Sequence, residues 1–70
     1  MRLDPVSLKL FVTIVETGTI SAAAEQEHIA ASAVSRRISD LEAVLKVSLL
    51  QRTNKGIEPT SAGLTLLNLA

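Results

Sequence analysis

The side chains able to do chemistry gather in two short stretches. In the first, SAVSRRISDLEAVLK from Ser32 to Lys46, helical period puts Ser32, Ser35, Arg36 and Ser39 on one side. Hydroxyls near a helix N-terminus suit phosphate oxygens, and an Arg guanidinium can take guanine O6 and N7 as a bidentate pair. Arg37, one position round, either reaches a phosphate or pairs with Asp40 or Glu42 along the helix. Ser32 is either a contact or the helix N-cap. The second stretch holds Arg52, Thr53 and Lys55, which suit phosphate or minor-groove contact. The competing role for Arg52 is an ion pair with Glu42 or Glu58. Ser21 and Thr60 read as helix caps, and the N–H groups at such helix ends can also hold phosphate. His28 stands alone, with no Cys, second His or carboxylate cluster near it, and reads as a cap or surface residue.

The bulk properties narrow the possibilities. Seventy residues make one small domain, a size that buries only about 60% of its unfolded surface. Hydrophobic residues make up 47%, enough for a core, and that core must be aliphatic because Phe11 is the only aromatic. Without cysteine there is no disulfide and no thiolate site. No acid/base constellation marks an enzyme, and nothing calls for a cofactor or metal. No apolar run is long enough to span a membrane and no signal peptide opens the chain, so a soluble cytoplasmic domain is expected. Net charge is zero, yet it is unevenly spread. Residues 3–35 hold Asp4, Glu16, Glu25 and Glu27 against Lys9. Residues 36–55 hold Arg36, Arg37, Lys46, Arg52 and Lys55 against Asp40 and Glu42. Such a dipolar domain can steer toward an anionic partner.

The elements that must position these side chains follow from local signals. Asp4-Pro5 starts a helix, with Asp as N-cap and Pro at the first helical position. Leu8, Phe11, Val12 and Val15 give it an apolar face flanked by Leu3 and Ile14, and Gly18 ends it. Residues 17–20 form the turn. Ser21 is expected to cap a second, short helix over Ala22–His28, with Glu25 and Glu27 early in it and three alanines allowing close approach. Residues 29–31 connect to a third helix at about 32–46, whose stripe is Val34, Ile38, Leu41 and Leu45. The pattern then becomes extended. Asn54-Lys55-Gly56 predicts a hairpin turn of type I with Gly56 left-handed, and Pro59 closes the return strand. Thr60 caps a fourth helix over Ser61–Ala70, with leucine around most of its circumference. The expected fold is mainly α: three helices in a winged helix-turn-helix, a short β-hairpin wing at 50–59, and a further helix.

Taken in order, these residues resemble the N-terminal DNA-binding domain of LysR-type transcriptional regulators. The match covers nearly the whole chain. Leu8–Gly18, LKLFVTIVETG, is similar to the first helix of that family, and Ser21-Ala22-Ala23-Ala24-Glu25 to the start of its second. Ala33-Val34-Ser35-Arg36-Arg37-Ile38 followed by Leu41-Glu42 resembles its recognition-helix signature. Leu49-Leu50-Gln51-Arg52-Thr53 resembles the opening of its wing, and Thr60-Ser61-Ala62-Gly63 the start of its linker helix. Five positions depart from it. Ala31-Ser32 stand where the family has Gln-Pro, Glu27 where it has Leu, Lys46 where it has Gly, and Leu50 where it has Phe.

The resemblance implies sequence-specific binding of double-stranded DNA by a transcriptional regulator, with helix 32–46 in the major groove and the wing on the backbone or minor groove. It carries DNA contact onto Ser21, Ala31, Ser32, Ser35, Arg36, Arg37, Arg52, Thr53 and Lys55. It divides the chain into a DNA-binding domain at 1–60 and the beginning of a linker helix at 61–70. It also implies a homo-oligomer formed through that helix in a longer parent, and a small-molecule effector bound by a further C-terminal domain. The competing reading is a protein-interaction module that keeps the winged-helix fold without binding DNA, for which zero net charge, Glu27 and the missing Gln-Pro at Ala31-Ser32 speak.

Overall fold

The computed structural model describes residues 4–69. Helix α1 (Pro5–Thr17) opens on Asp4, whose carboxylate accepts from Val6 N at 3.0 Å. It closes on Gly18, in the left-handed region at φ 87. Both ends are as the sequence indicates. The buried face is rotated from the expected one. Ser7, Leu10, Phe11 and Ile14 are buried, at i, i+3, i+4 and i+7, while Leu8, Val12 and Val15 are only partly covered. Residues 10–12, 14 and 15 are all apolar, so period alone could not choose between the two faces. Leu3 and Ala70 lie outside the described residues.

Helix α2 (Ile20–Glu27) begins earlier than expected. Its cap is Thr19, whose hydroxyl accepts from Ala22 N at 3.0 Å, and Ser21 sits exposed inside the first turn. Ile20 packs against the core, which draws it into the helix. The helix ends at Glu27, so this residue falls last, not early. It is compensated there by Lys9 Nζ at 3.4 Å and by the Thr13 hydroxyl at 3.2 Å, both from α1. His28 takes the left-handed conformation at φ 60. Bonds from His28 N to Glu25 O and from Ile29 N to Ala24 O complete a Schellman motif.

Helix α3 (Ala31–Leu45) starts one residue before the expected boundary. Ala30 is the N-cap and offers no side-chain bond, so Ser32 is an internal first-turn residue and not the cap. Val34, Ile38 and Leu41 are buried and Leu45 partly so, the stripe read from the sequence. They join Phe11, Leu10, Ile14, Ala23 and Ala24 in one apolar core, aliphatic but for Phe11. Lys46 supplies the left-handed cap that a glycine would ordinarily fill, at φ 59.

Strands β1 (Leu50–Thr53) and β2 (Gly56–Pro59) pair antiparallel, with Leu50 opposite Pro59 and Thr53 opposite Gly56. Gly56 has φ 118, and neither Asn54 nor Lys55 is at positive φ. This fits the expected type I turn with a glycine bulge. The hairpin is tied at three places. Ile57 N donates to Gly18 O at 3.1 Å, which fixes β2 to the α1–α2 turn. The Thr60 hydroxyl donates to Ser48 O at 2.6 Å while accepting from Gly63 N, capping α4 (Ser61–Leu69) and fastening it to the segment before β1. Glu42 Oε2 accepts from Leu49 N at 2.7 Å and Leu50 N at 3.4 Å, which ties that segment to α3. The order α1, α2, α3, hairpin, α4 is a winged helix-turn-helix.

Candidate nucleic-acid interface

Burying Val34, Ile38 and Leu41 forces the opposite side of α3 outward. At about 100° per residue that side carries Ser32, Arg36 and Ser39, and all three are exposed. Ala31 is exposed at the start of the same helix. Ser35 lies on the flank turned toward the hairpin and is half-buried. There it lines a cleft between α3 and β1, shared with Ser39, Glu42, Ser48, Gln51 and Arg52. The structure thus brings Ser35 and Arg52, seventeen positions apart in sequence, to one cleft whose floor also includes Ile20, Ile38, Leu50 and Ile57.

A second groove runs between the α1–α2 turn and the hairpin. Ser21, Arg52 and Thr53 line it together. Thr53 Oγ1 accepts from Lys55 N and donates to Gly56 O, each at 3.2 Å, so its hydroxyl is engaged in shaping the turn. Lys55 projects exposed at the tip and lines neither groove. Arg52 is common to both grooves and is exposed. Among the described residues Arg36, Arg52 and Lys55 make no ion pair. The structure therefore does not show the pairing of Arg52 with Glu42 or Glu58, since Glu42 is turned to the backbone of Leu49 and Leu50.

Arg37 stands apart. It projects from the other flank of α3, and its NH1 donates to Asp4 Oδ2 at 2.9 Å. Asp40 and Glu42, the partners considered along the helix, do not take it. The same Asp4 oxygen accepts from Ser7 Oγ at 3.2 Å, so the cap of α1 also anchors α3. Sequence reasoning passed over Gln51 and Ser48 as members of the cleft, and over Glu42 as the residue joining its walls. The only signal for Gln51 was its place beside Arg52 on a strand whose middle is exposed.

Comparison with known proteins bears directly on this arrangement. The nitrogen assimilation regulatory protein nac of Escherichia coli is 48% identical over 56 residues, which is 80% of this chain. The chain spans only 18% of the length of that relative. Among solved structures, Corynebacterium glutamicum OxyR (a C206 mutant) superposes with a TM-score of 0.93 at 32% identity, covering 99% of this chain and 22% of its own. The CbnR DBD–DNA complex superposes at 0.84 with 38% identity, covering 97% of this chain and 76% of that one. A family model for bacterial regulatory helix-turn-helix proteins of the lysR family matches residues 6–64, from α1 into α4. The chain belongs to the lysR family of bacterial helix-turn-helix regulatory proteins.

Proposed function

We propose that this chain binds double-stranded DNA in a sequence-specific way, as the reading domain of a transcriptional regulator. The observation that carries this is the outward face of α3, where Arg36 stands beside a cleft whose far wall presents Arg52, both unpaired among the described residues. A 15-residue helix so exposed can enter the major groove, with the hairpin lying on the flanking backbone or minor groove. Likeness to a protein solved on DNA supports the same reading. Arg36 is the reader of a base edge. Ser32 and Ser35 contact phosphates, and Ala31 faces the bases from the first turn. Arg52 and Lys55 meet the backbone from the wing, with Ser21 and Thr53 lining the path between. Arg37, held by Asp4, is the least direct of these contacts.

The domain proper is 1–60, and 61–70 begin the helix through which protomers of a longer regulator pair. Leu64 and Leu69 on α4, 53% and 80% exposed, support such pairing. A small-molecule effector would act through a separate domain, and the site of action would be the cytoplasm. Among the described residues no helix is long and apolar enough to cross a membrane.

Salt dependence tests the reading. About four phosphate contacts give a slope of log K against log salt near −3 to −4. A chain that binds no duplex at low salt, or binds with a flat slope, is instead a protein-interaction module.

A further inference from the structure

We infer that Glu42 is a positioning residue for the wing: its carboxylate sets where Arg52 stands relative to the reading face of α3. This rests on the DNA-binding reading above. Glu42 follows Leu41, which is buried in the core at 4% exposure, so the base of the side chain is fixed. Its Oε2 accepts from two successive backbone N–H groups, Leu49 at 2.7 Å and Leu50 at 3.4 Å. Leu50 opens β1, and Arg52 follows two residues later, about 7 Å along the strand. A short path through β1 therefore joins the core to the backbone of Arg52, from which the exposed side chain projects.

No other side-chain hydrogen bond among the described residues runs from α3 to the hairpin segment. The remaining ties are Ile57 N to Gly18 O on the α1–α2 turn, Thr60 to Ser48 O and Leu49 O at the start of α4, and Val47 N to Glu42 O at the end of α3, none of which reaches β1 from α3. Packing of Leu49, Leu50 and Ile57 holds the hairpin on the core but is not directional, so without the Glu42 bonds the strand carrying Arg52 can tilt against α3. The placement of Glu42 also argues for a specific task. It lines the same cleft as Ser35 and Arg52, on the side proposed to face phosphate, where a free carboxylate would repel the ligand. Here the charge faces two N–H donors, and such charge-assisted bonds are roughly twice as strong as neutral ones.

The test compares salt slopes on a duplex selected for binding, using the whole 70-residue chain. E42Q keeps an acceptor oxygen at the same reach. E42D keeps the charge and withdraws the oxygen by one methylene. E42Q is expected to hold the wild-type slope. E42D is expected to lower its magnitude by about one to two units, about one for each of Arg52 and Lys55 displaced. Base preference should be unchanged in E42D, and adding R52A to it should lower the slope no further. The proposal is overturned if folded E42D keeps the wild-type slope, or weakens binding without changing it. A folded E42Q whose slope falls as far as that expected of E42D overturns it independently, whether or not E42D folds. Failure of the wild-type chain to bind any duplex sinks the DNA reading itself, and this inference with it.

Discussion

Arg36 and Arg52 carry the same charge on different supports. Arg36 sits on the exposed side of a helix whose buried face is fixed by Val34 and Ile38, so its reach is set by the core. Arg52 sits on a two-stranded hairpin held by a few tethers. Their substitutions should therefore fail differently. Arg36→Ala should cost about 1–3 kcal/mol of discrimination at one base pair, because a bidentate guanine contact is lost. Arg52→Ala should weaken binding about equally on all sequences and reduce the salt slope by about one. Competition against a set of single-base-pair variants separates the two outcomes. Unchanged affinity and preference in Arg36→Ala would mean that the reading face is misplaced. At this scale the sequence marked which residues project from α3 but not what the others bind. Arg37 finds its partner in Asp4, 33 positions earlier, and no local spacing announces such a pair. Glu42 was visible as a charge for Arg37 or Arg52 and as part of the recognition-helix resemblance, whereas its partners are backbone amides.

Each element shows where local signals suffice and where packing decides. Asp4-Pro5, Gly18, Asn54-Lys55-Gly56 and Thr60 mark joints with local chemistry, and each lies where that chemistry indicates. The start of α2 was misread because two adequate caps lie close together. Thr19 prevails over Ser21 because Ile20 joins the core. The face of α1 was misread because its apolar run leaves the period ambiguous.

Two positions invite opposite substitutions. Lys46 holds a left-handed cap at φ 59, a conformation costing an L-residue roughly 1–2 kcal/mol. Lys46→Gly should raise stability by up to about 1 kcal/mol, after allowing for the greater entropy glycine loses on folding. Gly63 is buried where α4 meets the segment before β1, and a Cβ there would run into the Leu49 carbonyl oxygen. Gly63→Ala should lower stability by about 1–3 kcal/mol, since backbone must move to admit it. Denaturant midpoints at constant slope report both changes.

The whole molecule is electrically neutral, with seven acids and seven bases, and three of the acids have partners among the described residues. Asp4 is turned to Arg37, Glu27 to Lys9, and Glu42 to backbone amides. Among the described residues Arg36, Arg52 and Lys55 remain unpaired on α3 and the hairpin, against Asp40 and Glu58 on the same elements, which also make no ion pair. A neutral sum is thus compatible with a positive working face. The order of elements was legible because its joints are marked locally and its motifs fall in sequence. The angle between wing and helix was not, because it depends on Ile57 meeting Gly18, on Thr60 meeting Ser48 and on Glu42 meeting Leu49. Those contacts exist only once the chain has folded.

Selection of bound sites from a random duplex pool tests the central claim most directly. The expected result is enrichment of one defined motif, with preference at one of its base pairs relaxed when Arg36→Ala is selected in parallel. A recovered pool no different in sequence from the input would contradict sequence-specific binding of DNA by this chain.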